Sequence, residues 1–599
     1  MFKIKRFMTF FGAAMLLILT SCEFGSLEKR EASGSVVVDL SSVKDRITSS
    51  SRTAYKDLLS SDFETFADLK LEGDFETSQT INLNETEIVQ IDNIPVGSKI
   101  TASIEIYINI DLQDEGRSFK ETKWHGTSDQ YEIKDGPNEI VIPLSRGGNE
   151  EIIDEPEEED KRITIYVRYD ENKQGNILNE AENSSNEDPA NDGKTKETGF
   201  YYIQSAINWI AENGNRNSDY KILLTGYNET HAFNQIIYST SSHDGTATAI
   251  FGKTEAEADN LRTKSNSITL TGERSDCFAI NTTNTDCILI RTPVPIYLEN
   301  IRISTTNHSR IIFTNYGISS EVYLTGETVF SDITDPEVMD WAGSSAVQME
   351  GGTVTMQDYS IIENFYSSNG GAAHIKYGEF IMEGNSRINE CKASTDGGAI
   401  YLEPNGSPLF TLKENATIYK CASRYDGGAI AQVKGTVTIE GGNIIDCEAE
   451  GDTSHGGAIY IKGASNHPKT YLKGGTIKGN KAKIGSAFYL EQNDGTASLI
   501  LSDNACVDSS NDIYTYRIPI QLKTALTTEN ETAAIISYPQ GITPGTDTIL
   551  VLYSDDFGSG EPDSIVRSHS KFIINEKNIS TNEIINTYAV DENGTIIEN

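Results

Sequence analysis

Apolar and polar residues alternate strictly along residues 100–110 of this chain. The apolar members of the alternation are Ile100, Ala102, Ile104, Ile106, Ile108 and Ile110. A period of two places one face of a strand on a core and the other face in water. Turn sequences at 94–98 and 134–138 precede this strand and a second one at 139–144. The pattern predicts a small β-sandwich over residues 61–146.

The hydrophobic period changes after residue 162. Residues 163–167 form a strand-like run, and four apolar residues then recur at helical spacing: Ile203, Ala206, Ile207 and Ile210. This spacing predicts a short amphipathic helix, and a strand at 221–225 follows it. An open stack of strands has bare edges at its ends, so a covering element is expected there. We assign residues 163–240 to an N-terminal cap and the first coil of a stack.

A glycine motif then repeats at a nearly constant interval. Its copies begin at Gly370, Gly397, Gly427, Gly456 and Gly485, at intervals of 27, 30, 29 and 29 residues, and each ends in alanine. The first glycine suits a corner with positive φ, and the alanine suits a tight inward position. Self-similarity at this period predicts a solenoid with three short strands in each coil.

We therefore expect an all-β chain, with a right-handed parallel β-helix over residues 241–515. A small immunoglobulin-like β-sandwich precedes this solenoid. Residues 516–599 are expected to form the final coils and a C-terminal cap.

A second column of residues predicts the register between coils. In each unit an apolar residue stands three places before a small polar one, as in Ile361/Asn364, Ile388/Cys391, Ile418/Cys421, Ile444/Cys447, Ile477/Asn480 and Val507/Ser510. Like residues in a parallel stack lie about 4.8 Å apart and form ladders. Cys391, Cys421 and Cys447 are therefore predicted to form an internal ladder of buried thiols, with disulfides or metal ligation as alternatives. Pairing of Cys277 with Cys287 stays open.

The first residues have the pattern of an export signal. Basic residues precede an apolar run at 7–19, which ends in Leu19-Thr20-Ser21-Cys22. The run is too short for an ordinary membrane span. Its ending resembles a bacterial lipobox, which implies a signal peptide at 1–21 and acylation of Cys22. A plain secretory signal with a chance cysteine is the alternative.

The net charge of the chain limits the classes of partner that it is expected to bind. The chain has 49 Lys and Arg against 89 Asp and Glu, a net charge of -40, which argues against nucleic acid and bare anionic lipid as partners. Residues 22–60 are expected to form a tether and first strand. The acidic run at 147–162 is expected to be an extended linker, because dense like charges repel. Membrane contact is then expected through the N-terminal lipid.

Two family resemblances bear on the solenoid. The strand, helix and strand at 163–225 resemble the entry to pectin-lyase-like right-handed β-helices. The Gly-Gly-Ala-Ile units at 397, 427 and 456 resemble the repeats of polymorphic outer-membrane proteins, although Ile-x-x-Asn or Ile-x-x-Cys stands in place of their Phe-x-x-Asn. That family consists of bacterial surface adhesins and antigens, and the resemblance implies a surface protein.

Candidate catalytic residues are few. Asp396 and Asp426 stand just before the glycines, where the neighbouring units have Asn369 and His455. Carboxylates in one column could serve acid–base chemistry or calcium binding, as in glycan-active enzymes of this fold. Asn, Asp and His are also preferred before a positive-φ glycine, so we interpret the column as a turn. His374 and His467 are interpreted as isolated surface residues.

The sequence thus predicts a monomeric, lipid-anchored envelope protein exposed on the outer membrane. Adhesin or surface antigen is the expected function, with a host or matrix protein or glycan as partner. The alternatives are a polysaccharide lyase or hydrolase, a glycan-binding module and a structural spacer. We assign no catalytic, cofactor-binding or metal-ligating residue, and Cys22 is the one modification site.

Overall fold

The computed structural model describes most of the chain from residue 161 onward and parts of the chain before it. The described residues are 33–39, 64–74, 76–82, 88–112, 117–127, 130–134, 136–138, 145–146, 161–173, 177–178, 190–234, 236–238, 246–252, 254–282, 286–306, 308–334, 343–463, 467–491, 497–515, 518–527, 532–539, 541, 543–545, 549–552, 570–578, 581–591 and 594–598. The signal peptide, Cys22, most of the tether, the strand at 139–144 and the acidic run at 147–160 lie outside them.

Two compact units make up the chain, Met1–Glu158 and Glu159–Asn599. The first unit contains two sheets. The smaller sheet consists of Ser33–Asp39, Ile88–Pro95 and Gly136–Asn138. The larger sheet consists of Glu64–Gly73, Thr77–Asn82, Lys99–Leu112, Arg117–Thr127, Tyr131–Glu132 and Ser145–Arg146. The predicted alternation is confirmed as far as side chains are described, because Ile100, Ala102 and Ile104 are buried and the residues between them are half-buried.

The predicted helix lies near the start of the second unit, after its first strand. Helix α1, Ile203–Asn213, buries the four apolar residues that carried its periodicity against the core. Strand Ile163–Arg168 pairs in parallel with Asp219–Thr225, so the helix lies between neighbouring strands in the chain. A second helix, α2, Glu255–Lys264, was not predicted, because its only buried side chain is Leu261 and it has no apolar stripe. No helix of the described residues has the length and apolar character of a membrane span.

Four parallel ladders form most of the second unit, and neighbouring strands within a ladder come from successive repeats. Ladder A contains Ala249–Phe251, Asp286–Ile290, Arg310–Thr314, Ile430–Gln432, Ile459–Ile461, Phe488–Leu490, Asp512–Thr515, Ala534–Pro539 and Phe572–Lys577. Ladder B contains Ile163–Arg168, Asp219–Thr225, Ser267–Gly272, Ile296–Glu299, Glu321–Thr325, Thr436–Ile439, Lys469–Leu472, Ser498–Leu501, Ile520–Leu522 and Leu550–Leu552. Three longer strands run through both ladders: Val347–Met356, Ala373–Met382 and Ile400–Leu412.

The other two ladders complete each repeat. Ladder C contains Ile280–Thr282, Arg302–Thr305, Val329–Asp332, Ile361–Glu363, Arg387–Asn389, Thr417–Tyr419, Asn443–Ile445 and Thr476–Lys478. Ladder D contains Tyr366–Ser367, Lys392–Ala393, Ala422–Ser423 and Glu448–Ala449. Ladder D adds a short fourth strand to the three predicted per repeat. Short strands at Ile177–Leu178, Ile236–Tyr238 and Thr246–Ala247 form a separate small sheet.

The glycine motif has two distinct physical causes. The first glycine of each copy has positive φ, between 62° and 69°, as predicted from the corner. The second glycine does not, but a Cβ on Gly398 would lie 2.2 Å from the backbone oxygen of Gly428 in the next repeat. The alanines that follow are fully buried, which confirms their inward position. The first glycine is therefore required by its positive φ, and the second by the close stacking of neighbouring backbones.

The Ile-x-x-polar column is confirmed at its centre and wrong by one residue at both ends. Ile388, Ile418, Ile444 and Ile477 stack in register, but the residue below them is Ile362 rather than Ile361. Phe365 is therefore the buried residue below Cys391, while the predicted Asn364 is exposed with φ 64°. At the other end, Asn480 is hydrogen bonded to Asn511, and the predicted Ser510 is exposed.

The cysteine ladder is confirmed as a column of free, buried thiols. Cys391, Cys421 and Cys447 are fully buried, and each Sγ lies 3.9 Å from the carbonyl oxygen of the isoleucine one repeat below. Cys277 and Cys287 are not joined by a disulfide. Burial raises the pKa of the Cys391 and Cys447 thiols, so both stay protonated and fill space as small apolar groups.

A β-hairpin follows the last parallel strands. Strand Phe572–Lys577 of ladder A pairs in antiparallel fashion with Ile584–Val590, which pairs with Ile596–Glu598. The buried Asp512 ties this segment to the stack, because its Oδ2 lies 2.7 Å from Nζ of Lys577. The parallel pairing ends at this segment, and only Val590 and Ile596 of its last two strands are buried in the same core as the ladders.

Candidate functional site

The outer face of ladder A contains a column of aromatic side chains beside several charged ones. Inward residues such as Ile400 and Leu402 are fully buried, so the residue between them points outward. The outward residues in register are Gln348, His374, Tyr401, Ala431, Tyr460, Tyr489 and Tyr514. We call these residues the ladder A face. The name also covers the flanking residues, which are 369, 396, 426 and 455 on one side and 350, 376, 403, 433, 462 and 491 on the other.

Aromatic rings occupy this face in two blocks. Tyr460, Tyr489 and Tyr514 stack in succession, with ring centroids 5.9 Å and 5.2 Å apart. His374 and Tyr401 form the other block, with centroids 5.1 Å apart in an edge-to-face arrangement. Ala431, fully buried, is the residue between the blocks, so one repeat contributes no ring. The aromatic column of the ladder A face is therefore interrupted at Ala431, and this break is closed to solvent because Ala431 and Tyr460 are both buried.

The predicted turn column lies directly beside this break. Each side-chain oxygen accepts a hydrogen bond from the backbone N–H of the residue one repeat further on: Asp396 Oδ1 from Asp426 at 3.1 Å, and Asp426 Oδ1 from His455 at 3.1 Å. Asn369 makes a longer contact of the same kind to Asp396, 3.4 Å. These hydrogen bonds to the backbone support the interpretation of Asn369, Asp396, Asp426 and His455 as turn residues. The same hydrogen bonds fix the carboxylates of Asp396 and Asp426, which belong to the repeats that contain Tyr401 and Ala431.

Electrostatics couple these carboxylates to the tyrosines. Burial and the charge of Asp426 raise the pKa of Asp396, while the nearby Lys462 acts in the opposite direction. Burial, Asp396 and Glu403 raise the pKa of Tyr401 to about 12. The pKa of Tyr460 is also raised, first by burial, then by its side-chain hydrogen bond to Glu491, and then by the charges of Glu491, Asp426 and Asp396. These phenols therefore remain protonated and can donate hydrogen bonds over the physiological range.

His374 is not the isolated surface residue that the sequence predicted. Its Nε2 lies 3.2 Å from Oε2 of Glu403, and its ring packs against Tyr401. Burial lowers the pKa of His374, against the opposing influence of Glu403, so the imidazole is neutral near pH 7. His467 is exposed, as predicted.

Two members of the ladder A face were not singled out from the sequence. Lys462 is close enough to Asp396 to affect its pKa. Glu491 is hydrogen bonded to the phenol of Tyr460 and raises the pKa of that tyrosine. A signal for the tyrosines was available, since His374, Tyr401, Ala431, Tyr460 and Tyr489 each stand four residues after the first glycine of their motif.

The described residues contain no group of three or more His, Cys, Asp or Glu side chains placed to hold a metal ion. No protein family model, curated protein or solved structure matches this chain. The arguments for function therefore come from the residues of the ladder A face and from the N-terminal sequence.

Proposed function

We propose that this protein is a lipid-anchored envelope protein, an adhesin or surface antigen, that binds glycans through the ladder A face. The observation that carries the proposal is the two-block aromatic column with Asp396 and Asp426 beside its break. A pyranose has an apolar C–H face and an edge of hydroxyl groups. Aromatic rings pack against the first, and carboxylates and phenols exchange hydrogen bonds with the second.

We propose in addition that the second unit is a right-handed parallel β-helix and that the first is an immunoglobulin-like sandwich. The parallel ladders, in which neighbouring strands come from successive repeats, support the first assignment. The two sheets in Met1–Glu158 support the second. In this arrangement the first unit acts as a spacer, and the second presents the ladder A face to its ligand.

Anchoring at the outer membrane is proposed from the N-terminal sequence, in which a basic segment and an apolar run precede Cys22. Acylation at Cys22 would retain the protein at the membrane once the signal is removed. Labelled palmitate should enter the wild-type chain and fail to enter Cys22→Ser. Protease treatment of intact cells should cleave the protein at the surface, whereas full protection would contradict surface exposure.

Glycan binding is tested with the mature chain that carries Cys22→Ser, screened on immobilised oligosaccharides. Tyr401→Ala and Tyr460→Ala should each weaken binding, because each removes a ring that flanks the break. Tyr297→Ala is the matched control, since Tyr297 stacks on Tyr323 with centroids 4.7 Å apart but lies on ladder B. Equal losses in all three variants, or no glycan bound by the wild type, would overturn the proposal.

Glycan hydrolysis is a second candidate function. Asp396 has a raised pKa beside a neighbouring carboxylate, which is the arrangement of a general acid paired with a base. Incubation of bound glycans with product analysis decides between binding and cleavage. Turnover that is abolished in Asp396→Asn and in Asp426→Asn would establish the enzyme, and bound but uncleaved glycan would establish the binding protein.

A further inference from the structure

We propose that Tyr316 and Tyr377 form a second aromatic subsite, beside the ladder A face, for a neutral oligosaccharide longer than a disaccharide. This inference rests on the proposed glycan-binding function and adds the length and the charge class of the ligand. Three observations carry it: the exposure of the Tyr316 ring, the contact of the two rings across a glycine, and the position of the pair relative to His374.

The Tyr316 ring is open to solvent. Tyr316 is 65% exposed, the largest value among the exposed hydrophobic side chains of the described residues. Tyr460 and Tyr514 of the ladder A face are buried, at 5% and 7%. A sugar can pack its apolar face only against a ring that it can reach. Tyr316 therefore offers a sugar more aromatic surface than either of these two tyrosines.

Tyr316 and Tyr377 meet although one other repeat separates the repeats to which they belong. Gly351 lies between them: its Cβ, if present, would be 3.0 Å from the backbone oxygen of Asn315, and a Cβ on Gly378 would be 3.0 Å from the carbonyl carbon of Gly351. Because Gly351 has no side chain, the two rings contact each other, with centroids 5.1 Å apart and an interplanar angle of 61°. The pair therefore forms an aromatic corner rather than a flat stack.

Polar groups beside this corner suit sugar hydroxyls. Nζ of Lys376 lies 3.1 Å from Oε2 of Glu350 and 5.9 Å from the centroid of Tyr377. The hydroxyl of Tyr377 donates to the backbone oxygen of Asn405 at 3.1 Å, which fixes its ring. Sugar hydroxyls can donate to Glu350 and accept from Lys376. Because the charge of Lys376 is matched by Glu350, this lysine does not select for a uronate or sulfate group, and we expect a neutral sugar.

His374, on the ladder A face, lies three residues before Tyr377 on the same strand. At about 3.3 Å per residue, the two positions are about 10 Å apart, which exceeds the size of one pyranose ring. A ligand that contacts both the His374 and Tyr401 block and the Tyr316 and Tyr377 pair needs a sugar ring at each end and at least one between them. The ligand is therefore longer than a disaccharide.

The test measures binding of oligosaccharides of several lengths to the soluble Cys22→Ser chain by calorimetry. The neutral probes are the dimer, trimer and hexamer of β-1,4-linked N-acetylglucosamine and of β-1,4-linked glucose, and hexagalacturonate is the anionic probe. In the series that binds more tightly, the hexamer should bind about tenfold more tightly than the dimer, with most of the gain present in the trimer, because the longer ligands reach a further aromatic contact. Hexagalacturonate should bind more weakly than the neutral hexamer.

Two variants of Tyr316 locate the effect. Tyr316→Ala should lower the affinity for the hexamer to that for the dimer and leave the dimer unaffected, whereas Tyr316→Phe keeps the ring and should keep the tenfold gain. Tyr323→Ala is the matched control, because Tyr323 is a half-exposed ring paired with Tyr297 on ladder B. It should bind both lengths as the wild type does. Circular dichroism of each variant shows whether the fold is retained.

The screen on immobilised oligosaccharides tests glycan binding separately, so the two proposals can fail separately. If no glycan is bound in that screen, both are overturned. If a glycan is bound there, equal affinity for dimer and hexamer, an unchanged gain in Tyr316→Ala, or tighter binding of hexagalacturonate than of both neutral hexamers would overturn the inference alone. An equal loss in Tyr316→Ala and Tyr323→Ala would also overturn it, because the effect would not be specific to this corner.

Discussion

Oδ1 of Asp426 lies 3.1 Å from the backbone nitrogen of His455 and 2.9 Å from its Nδ1, so one carboxylate oxygen contacts both the backbone and the ring of the residue one repeat above. The carboxylate thereby fixes the position of the His455 ring, whose centroid lies 4.2 Å from that of Tyr489. The hydrogen bonds of Asp426 thus connect two repeats and also position the His455 ring on the ladder A face.

Asp426→Ala should destabilise this turn by about 1–3 kcal/mol, because it removes the acceptor of a partly buried N–H. Asp426→Asn should cost much less, since Asn369 occupies the same column and accepts a backbone hydrogen bond through Oδ1. Hydrogen exchange of the His455 amide measures the local effect in both variants. Equally fast exchange in Asp426→Asn and Asp426→Ala would contradict this account.

Asp396→Asn should stabilise the protein at neutral pH. The pKa of Asp396 is raised above 3.8 by burial and by Asp426, so the fold favours its protonated form. That contribution is fully present below 3.8 and is lost as the pH rises through the folded-state pKa. Asparagine stays neutral throughout and does not lose it. Denaturation midpoints of wild type and variant should therefore converge at acidic pH and diverge above it, and a constant difference would contradict the assignment.

Gly398→Ala should destabilise the stack by about 1–3 kcal/mol through overpacking. The added Cβ would lie 2.2 Å from the oxygen of Gly428 and 2.6 Å from backbone atoms of Ala422, neither of which can move freely. Gly474→Ala is the control, because its nearest atom would be 3.1 Å away and its φ is not positive. Urea denaturation compares the two variants, and the account fails if their midpoints agree.

The thiols of Cys391, Cys421 and Cys447 should resist alkylation in the native protein. All three are fully buried and free, whereas Cys506 is partly exposed. Iodoacetamide followed by peptide mass spectrometry should find Cys506 labelled first and the three ladder cysteines labelled only in denaturant. A bond between Cys391 and Cys421 in the unreduced protein would contradict the ladder.

Lys577→Met should loosen the C-terminal segment, because it leaves the buried Asp512 carboxylate without its ion-pair partner, at a cost of about 3–5 kcal/mol. Burial opposes ionisation of Asp512, but Lys577, Ser486 and Ser537 hold its pKa below 3.8. This stabilisation is present above 3.8 and is lost as the pH falls through the folded-state pKa.

Hydrogen exchange over Phe572–Lys577 should therefore be faster in Lys577→Met, and Asp512→Asn combined with Lys577→Met should recover much of the protection. A double variant that exchanges faster than Lys577→Met alone would contradict a role for the unpaired charge.

The sequence by itself determined the repeat, the corner glycines, the inward alanines and helix α1. These features are local, since a positive φ, a small side chain or a 3.6-residue period can be recognised without knowledge of the partner strand. The cysteine ladder also followed from the sequence, because its three members are spaced like the glycine motif that fixes their repeat.

The tertiary structure decided the register and the site. Ile361 and Ile362 are both apolar, so the sequence allows either to face inward, and a slip of one residue turns every side chain to the other face. Packing resolves the choice by burying Ile362 and Phe365. Stacking of the repeats in ladder A brings His374, Lys462 and Glu491 to one face and places Ala431 between Tyr401 and Tyr460. Contacts between residues about 30 positions apart depend on how the repeats stack, and no local pattern specifies them.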